Sequence, residues 1–174
     1  MLQKVVSGGQ TGVDRAALDI AMALGIPVGG WCPRGRRSED GRISERYPLQ
    51  ETPGANYSIR TEWNVRDSDG TVLLTWGAIS GGTRLTRDFA ERYGRPHWAC
   101  DIRPARSVGQ LLFEPELEDS SRTISGFCEW MREHQIEVLN IAGPRGSTAA
   151  ELQPQAETFL RVLLEAGRGE FGDC

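Results

Sequence analysis

The chain has 174 residues, with 20 basic against 24 acidic side chains and a net charge of −4. A chain of this length buries roughly 70% of its unfolded surface in one domain, so 1–174 reads as a single domain that needs neither disulfide nor metal staples. The acidic balance argues against a protein that coats nucleic acid, and no apolar run approaches the ~18 residues of a membrane span.

Lys4 to Ser7 predicts a short buried strand, followed by the glycine-rich turn Ser7-Gly8-Gly9-Gln10-Thr11-Gly12. Thr11 to Leu24 has helical apolar spacing and stops at Gly25. A strand, a glycine turn and a helix start together offer backbone amides and a positive helix end to an anion. The turn lacks the Gly-Lys-Ser/Thr of a P-loop and the G-x-G-x-x-G spacing of a dinucleotide fold. Asp14 and Arg15 fall in the first helical turn, where Asp14 either complements the dipole or orients an arginine or a sugar hydroxyl.

Ile26 to Trp31 predicts the second strand, and Cys32 to Pro53 a long irregular segment of the kind that is functional or disordered. Within it Arg34, Arg36 and Arg37 read either as a solvated loop or as a phosphate clamp. Of the 20 basic residues only Lys4 is a lysine. Arg60 to Asp69 predicts a short helix that carries Trp63, Asn64, Arg66, Asp67 and Asp69. Thr71 to Trp76 is the third strand; Gly77 to Thr83 is a turn containing Gly81, Gly82 and Thr83; and Arg84 to Tyr93 is a helix.

Pro96 to Ile102 predicts a fourth strand, Ser121 to His134 a helix, and Ile136 to Ala142 a fifth strand ending in Gly143-Pro144-Arg145-Gly146-Ser147. A last helix runs from about Gln153 to Ala166, and Gly167 to Cys174 reads as a frayed tail. The alternation predicts an α/β, Rossmann-like, doubly wound sheet, mostly parallel, of about five or more strands with helices on both faces. Ligands of such sheets bind beyond the carboxyl ends of the strands, which puts the glycine turns on one rim and predicts a phosphate- or nucleotide-sized ligand. Cys32, Cys100, Cys128, Cys174, His97 and His134 lack metal-ligand spacing, so no metal site is expected. The start of the chain shows no signal peptide, which predicts a cytoplasmic protein.

The stretches Ser7 to Asp19, Gly29 to Gly41, Arg60 to Thr71, Gly81 to Thr83 and Leu139 to Arg145 make the chain resemble a family of proposed molybdenum-cofactor carriers. That family is a circularly permuted, YpsA-like branch of the SLOG superfamily of Rossmann-like nucleotide-ligand proteins. The resemblance implies a homo-oligomer that holds a phosphorylated ligand, molybdenum cofactor or nucleotide, in its rim loops, with molybdoenzymes as possible partners. Ser7, Gly8, Gly9, Gln10, Thr11, Gly12, Arg15, Arg34, Gly81, Gly82, Thr83, Gly143 and Arg145 would hold the ligand.

Related phosphoribohydrolases use a P-G-G-x-G-T-x-x-E loop, whereas here Ser80 precedes the glycine pair, Thr83 follows it directly, and Thr86 comes three residues later. With no acid at that place, binding without chemistry is expected. A hydrolase that recruits Asp14 or Asp67 is the alternative, and single-stranded DNA binding comes third.

Overall fold

A computed structural model describes residues 1–104 and 120–168 of the chain. Five parallel strands form the main sheet: β1 (Lys4–Val6), β2 (Val28–Gly29), β7 (Gly70–Thr75), β8 (His97–Asp101) and β9 (Val138–Ala142), in the order β2-β1-β9-β7-β8. Four two-residue strands lie outside it: β3 (Trp31–Cys32) pairs in parallel with β6 (Gln50–Glu51), and β4 (Arg37–Ser38) forms a hairpin with β5 (Gly41–Arg42). The helices are α1 (Val13–Ala23), α2 (Tyr57–Arg66), α3 (Gly81–Arg92), α4 (Ser120–Glu133) and α5 (Leu152–Gly167), with a 3₁₀ turn at Gly146–Thr148. The α/β class and the five-stranded parallel sheet agree with the sequence reading.

The central strands explain why the sheet is covered on both sides. Every residue of β7 is buried, as expected of a parallel strand packed on both faces. Val72 and Leu74 join Val5, Leu139 and Ile141 in one core with α1, α4 and α5, whose Ala17, Phe127, Leu160 and Leu164 are fully buried. On the alternate pleat, α3 packs on β7 and α2 on α3, through a second cluster of Val65, Phe89 and Ala90. Asn140, buried in β9, donates to Thr71 Oγ1 of β7 at 3.2 Å.

Three boundaries differ from the sequence expectation. The expected strand Ile26 to Trp31 is divided at Gly30, whose φ of +127° turns the chain away from β1. The divided end belongs to α2: Asn64 Oδ1 accepts from the Trp31 amide at 2.8 Å, and its Nδ2 donates to the Trp31 carbonyl at 3.0 Å. The expected helix from Arg60 to Asp69 begins earlier, because Asn56 caps it by accepting from the Ser58 amide at 2.9 Å. The glycine pair expected in a turn before α3 is instead its first two residues. Of the expected frayed tail, residues 169–174 lie outside the described residues.

The long segment after β3 is ordered by one side chain. Arg36 is 4% exposed and donates to the carbonyls of Ile43, Ser44, Tyr47 and Leu49 at 2.8 to 3.1 Å. These bonds outweigh the cost of holding a non-glycine residue at φ +52°. Arg36 is therefore not free for a phosphate, and Ile43, Tyr47 and Leu49 pack beside Cys32 and Leu18 around it. Arg36→Met should lower stability by about 3 kcal/mol, because it leaves several buried carbonyls unsatisfied. Urea denaturation checks the figure.

Candidate functional site

In the strand order, β9 sits between β1 and β7. The strands stay parallel, but the order in which they are added reverses: β1 leads outward to β2 on one side of β9, and β7 leads outward to β8 on the other. Ligands collect at such a switch, past the carboxyl ends of the strands. A cleft of about 310 Å³ lies there, bounded by the turn after β1, by α2, by the β7–α3 connection and by the turn after β9. That volume is at the small end of ligand sites.

The β7–α3 side offers open donors. Ser80 precedes α3 without a side-chain cap bond, and the first helical backbone bond is the one Arg84 makes to the Ser80 carbonyl. The amides of the first turn therefore have no partner within the helix. Gly81 and Gly82 are exposed, and a Cβ at either would meet nothing within 4 Å. Thr83 and Thr86 are buried at the same wall, where Thr86 Oγ1 donates to the Gly82 carbonyl at 2.9 Å.

The floor is charged. Arg60 of α2 lines the cleft and donates through Nη1 to Asp14 Oδ2 at 3.1 Å, while its buried Nε has no hydrogen-bond partner. Asp14 also lines the cleft and accepts from the Gln10 amide at 3.3 Å. Burial pushes the Asp14 carboxyl above its ordinary range, outweighing the attraction of Arg60. Arg60 was not singled out in the sequence as a site residue. Its signal is a lone arginine in the first turn of a helix that faces a glycine turn, and only the fold brings the two together.

The first glycine turn, by contrast, is spent on packing. A Cβ on Gly8 would collide with Arg60, and one on Gly9, at φ +73°, would lie 2.6 Å from Leu49 Cδ1. Gly12, at φ +79°, lets the turn after β9 approach so closely that a Cβ would sit 2.6 Å from both the Pro144 carbonyl oxygen and the Gly146 nitrogen. Gly143 is similarly tight, with Val13 Cγ2 at 2.6 Å. Ser7 Oγ donates to the Ile141 carbonyl at 2.7 Å. Of the residues expected to hold ligand, Gln10, Gly81, Gly82, Thr83, Gly143 and Arg145 line the cleft; Ser7, Gly8, Gly9, Thr11, Gly12, Arg15 and Arg34 do not.

Several of these are bound to the β4–β5 hairpin instead. Arg15 holds Asp40 through two bonds at 2.5 and 2.7 Å and donates to Ser38 Oγ at 3.0 Å. Thr11 Oγ1 accepts from the Gly146 amide at 3.0 Å and donates to Glu39. Asp67, the second candidate acid, lies outside the cleft lining; it accepts from Trp31 Nε1 at 2.8 Å and pairs with Arg66. Trp63 stacks edge-on against Trp31 and lies under the Arg66 guanidinium, so this polar, aromatic stretch of α2 serves to hold β3. Among the described residues no three His, Cys, Asp or Glu side chains gather as a metal site, and no helix is long and apolar enough to cross a membrane.

The sheet is Rossmann-like with its starting point moved. Counting from β9, then β1, β2, β7 and β8, the spatial order becomes three-two-one-four-five, the usual order of a doubly wound sheet. The comparisons with known proteins agree: residues 5–164 match the circularly permutated YpsA SLOG family, and the chain belongs to it. A crystal structure at 1.45 Å resolution from Syntrophus aciditrophicus SB, of a protein called "Putative molybdenum carrier protein", is similar over 94% of this chain and 95% of its own, with 43% identity and a TM-score of 0.81. No curated protein matches the chain.

Two outcomes follow from the packing. Gly12→Ala should cost about 2 kcal/mol or more in denaturant unfolding, through its positive φ and the backbone contact. The Asp40 carboxyl is held at about 2, below the ordinary 3.8, first by its bond from Arg15 and then by Ser38. Its folded value lies below its unfolded one, so the Arg15 clamp contributes fully above about pH 4 and is lost as pH falls toward about 2. The stability gap between the wild type and Asp40→Asn should close over that window in acid-titrated unfolding.

Proposed function

We propose that the protein is a carrier or sensor that binds a phosphorylated, nucleotide-like small ligand in this cleft and leaves it chemically unchanged. The observation that carries the reading is the open first turn of α3, with Gly81 and Gly82 free of neighbours and the Arg60 side chain in the lining of the same cleft. Helix amides and a guanidinium are the donors that an oxyanion takes up.

The name of the Syntrophus protein brings molybdenum cofactor forward as the ligand. The donor set fits the phosphate of an organic cofactor that brings its own metal: Gly81, Gly82 and Thr83 would take the phosphate, and Arg60 would balance its charge. The molybdenum chemistry would belong to the cofactor, and this chain would bind and shield it. Cytoplasmic residence and a homo-oligomeric state are part of the proposal, and a molybdoenzyme is the partner that would receive such a cargo.

A second reading has one observation behind it. Asp14 lines the cleft as a buried carboxyl raised above its ordinary range, which suits a general acid that protonates a departing base. On that reading the protein is an N-glycosidic hydrolase of nucleotides. Release of free base from nucleoside monophosphates, abolished by Asp14→Asn, would establish it and overturn the carrier reading.

For the carrier reading, Gly82→Asp sets a carboxylate at the open helix start without a steric conflict. It should lower the affinity for a nucleoside monophosphate by about tenfold or more with little change in melting temperature. Arg60→Met should weaken binding in the same calorimetric titration. Unchanged affinity in both variants would refute the cleft as the anion site.

A further inference from the structure

Most of the buried polar side chains that line the cleft are already spent. Thr61 Oγ1 donates to the Tyr57 carbonyl at 3.0 Å, Thr75 Oγ1 to that of Cys100 at 3.4 Å and Thr86 Oγ1 to that of Gly82 at 2.9 Å. The Asp14 carboxyl is taken up by Arg60 and the Gln10 backbone amide. Two buried residues of the lining keep a side-chain donor without a hydrogen-bond partner among the described residues: Thr83, 4% exposed, its hydroxyl, and Gln10, 6% exposed, its Nε2.

Gln10 is the better defined of the two, because its neighbours fix which way the carboxamide points. Its Oε1 accepts from the Thr11 amide at 3.0 Å and from the Glu39 amide at 2.9 Å. The reverse orientation would set an amino group against two N–H donors, so the oxygen and nitrogen are assigned by their partners. Nε2, with two hydrogens, is left on the other edge. It is not sealed in the core: among the described residues, the fully buried side-chain nitrogens without a partner belong to Arg60 and Arg87. Nε2 thus keeps accessible surface on a residue that borders the cleft. Gly8, Gly9, Thr11 and Gly12 of the same turn lie outside the lining, so this amide is what the turn after β1 offers a ligand.

We infer that Gln10 is a ligand-anchoring residue, a pre-oriented donor whose Nε2 takes up a hydrogen-bond acceptor of the bound ligand from a wall other than α3. The inference rests on the ligand-binding reading above and adds what the ligand must present to the turn after β1. A carboxamide already fixed by two bonds gives up little freedom on binding, and a donor withdrawn from most of its water gains from a partner. The sense is one-way: Nε2 favours an oxygen or ring-nitrogen acceptor and opposes an amino group. A phosphoryl oxygen and an acceptor on the organic part of a nucleotide share that chemistry. Gln10→Glu reverses the sense at constant shape, since a carboxylate still accepts from both backbone amides but brings no hydrogens.

The test follows the side-chain amide resonances of Gln10, identified by their loss in Gln10→Glu, while isotope-labelled wild type is titrated with inorganic phosphate and with adenosine monophosphate. The resonances should move on binding. Movement with both probes assigns the acceptor to the phosphoryl group, and movement with the nucleotide alone assigns it to the sugar or base; either outcome supports the anchor. In calorimetry Gln10→Glu should lower the affinity for adenosine monophosphate about tenfold or more. The uncharged Gln10→Met should lower it too, which separates loss of the donor from charge repulsion. A thermal melt accompanies each variant; should Gln10→Met melt early, Gln10→Glu and the resonances carry the comparison. Nucleotide binding that leaves the Gln10 resonances in place, or an affinity that neither variant lowers, would overturn this inference alone. Failure of the wild type to bind either probe would overturn the ligand-binding reading as well.

Discussion

The structure turns on the place where the backbone of Gly12 meets the turn after β9. Because β9 lies between β1 and β7, two segments more than a hundred residues apart leave neighbouring strands side by side and must share one narrow space. The Val13 amide donates to the Pro144 carbonyl at 3.2 Å, and the Gly146 amide to Thr11 Oγ1 at 3.0 Å. Such an approach tolerates no Cβ at position 12. Everything at the rim inherits this seam: Asp14 enters the helix from it, Glu39 is drawn to it, and the cleft opens beside it.

The seam also explains how charge is arranged around the cleft. Asp14 and Arg60 form a buried pair that neutralises the floor, but the geometry uses only one edge of the guanidinium and leaves Nε without an acceptor. A buried, incompletely satisfied guanidinium is costly. The carboxyl beside it is simultaneously shifted toward its neutral form, which lessens repulsion of an anion at the same place.

Most of the architecture was readable in the chain because periodicity and burial coincide there. The Val72-Leu73-Leu74 run in β7 and the spaced apolar residues of α1 and α5 reflect forces that act element by element. The candidate site was readable as a rim but not as a list of contacts. The first glycine turn looks like a cradle in sequence, yet its glycines make room for Arg60, Leu49 and Pro144, partners set by strand order rather than by spacing. Gly81 and Gly82, a shorter signal, are the pair left open. Arg36 reads as one of three loop arginines, and only the path of residues 43–49 turns it into the binder of four carbonyls. Arg60 was unreadable for the same reason, since its counter-charge lies 46 residues away.

The glycine pair at the head of α3 has a consequence for time rather than place. Gly82 weakens the start of the helix by up to about 1 kcal/mol relative to alanine, no packing at it compensates, and Gly81 takes a φ of +52° outside the helical range. The first turn of α3 is therefore the part of that helix readiest to open and close, and a ligand that orders it gives up some of its binding energy in doing so. A loose grip of this kind shortens residence. On the carrier reading proposed above, quick release matters as much as capture.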